Sequence, residues 1–74
     1  MNLNQLAQAL NKMYFGAKDK ETAAMIHLFG IKYAEEIKAC GESSKSIAKA
    51  AGIPESYGTE IRKGVNLAKH VRVL

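Results

Sequence analysis

Residues 43–64 read SSKSIAKAAGIPESYGTEIRKG, and the order of caps, apolar positions and breakers in this stretch predicts two short helices joined by a sharp turn. Ser43 or Ser44 offers a side-chain oxygen to the free amides at the start of the first helix. Ile47, Ala48 and Ala51 then fall at i, i+1 and i+4, on one narrow face made mostly of small residues. Gly52 stands where a helix ends on a left-handed residue, and Ile53 supplies the apolar contact that fixes the turn. Pro54 forbids continuation of the first helix but suits the start of another. The second helix is expected from about Glu55, with Tyr57, Ile61 and Val65 on its inner stripe and Ser56, Thr59, Glu60 and Lys63 outside.

This pattern resembles the helix-turn-helix of small bacterial and phage DNA-binding proteins, which places Ala four residues before the turn Gly. Ala48 and Gly52 match that spacing, Ile47 and Ile53 match its apolar positions, and Ile61 matches the apolar residue late in the second helix. Ala suits its place because the two helices cross there at close range, and a larger side chain would push them apart. One position departs from the pattern. Where the family carries Val or Ile this chain has Gly58, leaving a gap that Tyr57, one residue earlier, is expected to fill. The resemblance spans 22 of 74 residues. It implies a DNA-binding module that reads the major groove of double-stranded DNA with the helix over residues 55–64, a small transcriptional or mobile-element regulator. The segment HLFGIKYAEEI, residues 27–37, also resembles small bacterial proteins described only as helix-turn-helix-like. That second resemblance names no ligand or partner.

Seventy-four residues bound the answer to one domain with a single small core, built from compact helices or completed in a dimer. An apolar content of 47% excludes a disordered chain. The one cysteine, Cys40, has no internal disulfide partner, and with no secretory signal at the N-terminus a reducing, cytoplasmic setting is expected. No apolar run approaches the roughly 20 residues a membrane-spanning helix needs, so a membrane role is not expected.

The net charge of +4 is unevenly placed. Up to residue 42, five lysines balance five acidic residues, whereas residues 43–74 hold six basic residues against Glu55 and Glu60. All of the excess therefore lies with the turn motif, where it would draw a polyanion or simply solvate a basic face.

Along the rest of the chain, Asn2 and Gln5 have the spacing of a capping box. Leu3, Leu6, Ala7, Leu10, Met13 and Tyr14 follow at helical spacing, an apolar stripe for the core or for a homodimer contact. Phe15, Gly16 and Ala17 end that helix, and Asp19 is placed to cap the next. Ile26, Phe29, Tyr33 and Ile37 then form a stripe flanked by Ala23, Gly30 and Ala34. This is one long helix or two breaking at Gly30, where glycine marks either a kink or a close helix crossing. After Gly64 the stripe continues through Val65, Ala68 and Val71, or the final VRVL forms an extended tail. The whole reads as an all-α fold, a compact bundle of four to five short helices containing the helix-turn-helix.

Catalytic and metal chemistry find little support in the sequence. His27, Cys40 and His70 lie 13 and 30 residues apart, which matches no compact zinc pattern, and His27 is expected as a hydrogen-bonded histidine at the core boundary. Glu35 and Glu36 point about 100° apart on a helix and cannot serve one substrate together. No glycine-rich phosphate loop occurs. The chain is accordingly expected to be no enzyme and to hold no cofactor and no metal.

Candidate base contacts are Ser56, Thr59, Glu60 and Lys63, the early outward residues of the second helix. Candidate phosphate contacts are Lys45, Lys49, Tyr57, Arg62 and Lys69, with Tyr57 better suited to the core than to a phosphate. Glu60 fits poorly among phosphates, because its carboxylate is repelled unless it accepts from a cytosine amino group. The alternative is a protein-interaction module that keeps the helix-turn-helix shape and docks a partner through its apolar helices.

Overall fold

The first helix starts on a reciprocal pair of hydrogen bonds. Asn2 Oδ1 accepts from the Gln5 amide at 2.9 Å, and the Asn2 amide donates to Gln5 Oε1 at 2.9 Å. A computed structural model describes residues 1–18 and 20–73, and in it α1 spans Leu3–Phe15 with Leu6, Ala7 and Leu10 facing the core. The next apolar segment divides into α2, Thr22–Lys32, and α3, Ala34–Cys40. Among the described residues no side chain caps α2, and the role expected of Asp19 lies outside them.

The break between α2 and α3 falls at Tyr33 (φ −108°, ψ 21°) rather than at Gly30. Gly30 stays inside regular helix because a second helix lies directly on it. A Cβ at Gly30 would stand 2.5 Å from the Ile61 carbonyl oxygen and 2.9 Å from the Gly64 Cα. A Cβ at Gly64 would in turn meet the Gly30 Cα at 3.0 Å and press on the His27 carbonyl. Of the two roles open to Gly30 in the sequence, close crossing is the one it fills.

Helix α4, Ser44–Ala50, begins with Ser43 Oγ accepting from the Ser46 amide at 3.1 Å. It ends in a Schellman turn: the Gly52 amide donates to the Lys49 carbonyl at 3.1 Å and the Ile53 amide to the Ala48 carbonyl at 3.2 Å. Gly52 has φ +79°, and a Cβ there would meet nothing within 4 Å, so the left-handed backbone and not lack of space calls for glycine. The second helix of the motif starts more tightly wound than expected. Residues Glu55–Tyr57 form one 3-10 turn, and α5 then covers Gly58–Leu67.

Gly58 leaves no gap. A Cβ there would lie 2.9 Å from the Lys45 amide nitrogen and 3.0 Å from the Lys45 Cα, because the first turn of α4 rests on it. Backbone therefore occupies the space that the usual Val or Ile side chain would take. Tyr57, relieved of the expected filling role, meets Tyr14 edge-on with ring centroids 5.7 Å apart. Beyond α5 the Val71 amide still reaches the Leu67 carbonyl at 3.0 Å, but residues 71–73 have no regular secondary structure and are exposed. They neither extend the helical stripe nor cross the core.

Leu6, Leu10, Ile26, Phe29, Ile47 and Ile61 are the fully buried large side chains, drawn from α1, α2, α4 and α5 into one cluster. Each contributes about 1.5–3 kcal/mol by leaving water, so this cluster outweighs any single polar tie. The fold is all-α, and among the described residues it contains no strand. One polar tie nonetheless joins the crossing helices: His27 Nε2 on α2 meets Glu60 Oε2 on α5. Glu60 Oε1 also accepts from Lys63 Nζ at 3.2 Å. The His27 hydrogen bond, followed by that of Lys63, holds the Glu60 carboxyl below its ordinary value.

Two outcomes are expected. Gly64→Ala gains about 1 kcal/mol of helix propensity but forces backbone against backbone, a strain of about 1–3 kcal/mol, because neither helix has a side chain to move aside. Its thermal midpoint should fall; a raised midpoint would refute the tight crossing. For Glu60, a lowered folded-state value means that its stabilisation is whole above the usual carboxylate range. That contribution disappears as pH falls through the lower folded value. Melts from about pH 5 to about pH 2 should therefore show a steeper loss for the natural protein than for Glu60→Gln. Parallel curves would remove the tie from the stability of the fold.

Candidate nucleic-acid interface

Helix α5 has a locked back and an open front. Gly58, Ile61 and Gly64 are buried against α4 and α2, which sets the axial rotation of the helix. On the opposite side Thr59, Lys63 and Asn66 recur at i, i+4 and i+7, with Arg62 flanking them, and all four are exposed. Ten residues of α-helix span about 15 Å, long enough to lie along a major groove about 12 Å wide.

The sequence-derived base-contact candidates do not all share this front. Thr59 and Lys63 lie on it, and Ser56 is exposed in the 3-10 turn just before it. Glu60 departs from its expected outward position: it is half-buried and turned toward α2, where His27 and Lys63 hold it. The cause is helical phase, since Glu60 stands one residue from buried Ile61 and on the side where α2 crosses. Asn66 is a front residue that sequence reasoning did not single out, although its spacing of seven from Thr59 and three from Lys63 carried the signal. Its amide presents both a donor and an acceptor, the pair that matches an adenine edge.

Among the phosphate-contact candidates, Lys49 and Arg62 are exposed on the motif, and Lys69 is exposed just beyond the end of α5. Lys45 Nζ lies 3.8 Å from Glu55 Oε2, linking the first turn of α4 to the 3-10 turn. With the two side chains 71% and 45% exposed, this pair is worth at most about 1 kcal/mol and can yield to a phosphate. Tyr57 is half-buried and packs on the edge of the core. Burial first, and the neighbouring Tyr57 second, push the Tyr14 hydroxyl above its ordinary value. Tyr57 thus packs against half-buried Tyr14 at the margin of the core, in keeping with its reading as a core aromatic.

The apolar stripe of α1, the surface considered for a dimer or partner, is largely turned inward: Leu6, Ala7 and Leu10 are buried and Leu3, Met13 and Tyr14 half-buried. Exposed large apolar side chains lie off that stripe, at Met1, at Phe15 on the last turn of α1, at Leu28 on α2, and at Leu67, Val71 and Val73 at and beyond the end of α5. Among the described residues no three metal-binding side chains come together, and no helix is long and apolar enough to cross a membrane.

Comparison with curated proteins and with solved structures gave no significant match. A family model describing an HTH-like domain matches residues 2–73, so the paired helices α4 and α5, with the α2 crossing behind them, belong to a member of that helix-turn-helix-like family.

Proposed function

We propose that this domain binds double-stranded DNA and lays the 3-10 turn and α5 into the major groove. The observation that carries this reading is the open front of α5: Thr59, Arg62, Lys63 and Asn66 stand exposed together while three buried residues fix the opposite side. Ser56, Thr59, Lys63 and Asn66 are the residues proposed to meet base edges, and Lys45, Lys49, Arg62 and Lys69 those proposed to meet phosphates. The role is non-catalytic, that of a small bacterial transcriptional or mobile-element regulator. A half-buried free thiol, Cys40, suits a reducing cytoplasm.

A second reading, docking to a protein partner, draws on Leu67, Val71 and Val73, which form an exposed apolar end adjoining the proposed DNA surface. The inward-facing stripe of α1 gives that reading less support than its sequence did.

Duplex binding measured across a salt series separates the two. The expected result is affinity that falls steeply with salt, with amide shifts at Ser56, Thr59, Lys63 and Asn66. Arg62→Gln should weaken binding to all duplexes alike and reduce the log–log salt slope by about 0.9 if it neutralises one phosphate. Absence of binding at low salt would reject the DNA reading and leave the apolar end of α5 as the surface to pursue.

A further inference from the structure

His27 lies outside the helix-turn-helix, yet it touches the proposed reading helix through Glu60. The carboxylate is shared: Oε2 faces His27 Nε2, and Oε1 accepts from Lys63 Nζ at 3.2 Å. The three side chains are 33%, 26% and 59% exposed in the order His27, Glu60, Lys63, so the cluster opens to solvent on the Lys63 side. The close helix crossing fixes where the imidazole sits, because the His27 carbonyl lies against Gly64. Glu60 and, through it, Lys63 are the charged groups that face the imidazole from α5. Among the described residues no second carboxylate comes within ion-pair reach of His27.

Charge on this cluster depends on one proton. A neutral imidazole can donate from Nε2, and Glu60 and Lys63 then cancel. An imidazolium makes the same hydrogen bond and leaves the cluster with one net positive charge. Imidazole is the side chain that ordinarily changes charge between about pH 5 and 8. The phosphates of a duplex bound on α5 favour the charged form, and by linkage whatever favours protonation is itself bound more tightly when the proton is present.

We propose that His27 is a determinant of the DNA surface contributed by α2: on protonation it offsets the Glu60 carboxylate beside the phosphates and couples duplex binding to proton uptake. This rests on the duplex-binding reading above, and it accounts for a carboxylate at the edge of a surface meant for a polyanion.

The test is binding of a random-sequence duplex across a salt series at about pH 6 and about pH 8. The natural protein, His27→Gln and His70→Gln are compared. Gln at position 27 can still donate to Glu60 but takes up no charge, and the His70 variant controls for the other imidazole, which lies near Lys63 and Asn66. The natural protein should bind more tightly at the lower pH, with a salt slope steeper by up to about 0.9. That corresponds to roughly threefold more affinity lost between about 50 and 200 mM salt. His70→Gln should keep this response and His27→Gln should lose it. Glu60→Gln, a second variant, should show at the higher pH a slope steeper by about 0.9 than the natural protein, since one positive charge is no longer offset. Duplex binding with no pH response in the natural protein, or with the response intact in His27→Gln, overturns this inference and leaves the DNA reading standing. No salt-sensitive binding at either pH overturns both.

Discussion

Everything on the proposed DNA surface depends on how closely α2 and α5 cross. Gly30 and Gly64 oppose each other with no room for a methyl group between them, and Gly58 admits the first turn of α4 in the same manner on a neighbouring side. A helix with backbone on two sides has little freedom to roll about its axis. This rigidity decides which residues can form a front, because a roll of one residue, about 100°, would bury Thr59 or expose Ile61. Apolar burial holds the bundle together, but the glycine contacts set its geometry.

Glu60 shows the consequence. Its position beside Ile61 brings it to the edge of the α2 contact, where an unpaired carboxylate would be costly, and His27 and Lys63 remove that cost. The tie is partly exposed and its worth is small beside the six fully buried side chains of the core. Its importance is therefore directional: it keeps the Glu60 carboxylate on the α2 side and the Lys63 ammonium near the front.

Features legible in the sequence are those whose cause lies within a few residues. The Asn2 and Gln5 capping box, the Ser43 cap and the Schellman turn at Gly52 each depend on hydrogen bonds over three to five positions, so spacing alone revealed them. Long-range causes stayed hidden. Gly30 announced a kink or a crossing, but its partner lies 34 residues on at Gly64, and the break at Tyr33 carried no glycine or proline to mark it. Gly58 read as a missing side chain because the sequence does not display that α4 backbone would occupy its place. His27 was legible as a boundary histidine, while its acidic partner 33 residues away was not. On the front of α5, periodicity placed Thr59 and Lys63 correctly and carried Asn66 too, but Glu60 lay close enough to the stripe edge for the crossing helix to decide its direction.

The modest charge of the motif acquires a different meaning once its pairs are known. Lys45, Lys49, Arg62 and Lys63 exceed Glu55 and Glu60 by only two, which by itself speaks against a polyanion partner. Both acids, however, are engaged with lysines of the same motif. Exposed pairs of this kind are worth about 0–1 kcal/mol, whereas a bond from a charged donor to a phosphate contributes about 1.5–3 kcal/mol and releases a counterion. Lys45 can thus exchange Glu55 for a phosphate at little cost, and Glu60 keeps His27 if Lys63 turns to a base edge, while Lys49 and Arg62 have no acidic partner within 4 Å among the described residues. A surface that is nearly self-compensated when free need not be so when occupied. The affinity proposed for it turns on how readily each internal pair gives way, and that is a property of geometry, which a count of charges along the chain does not contain.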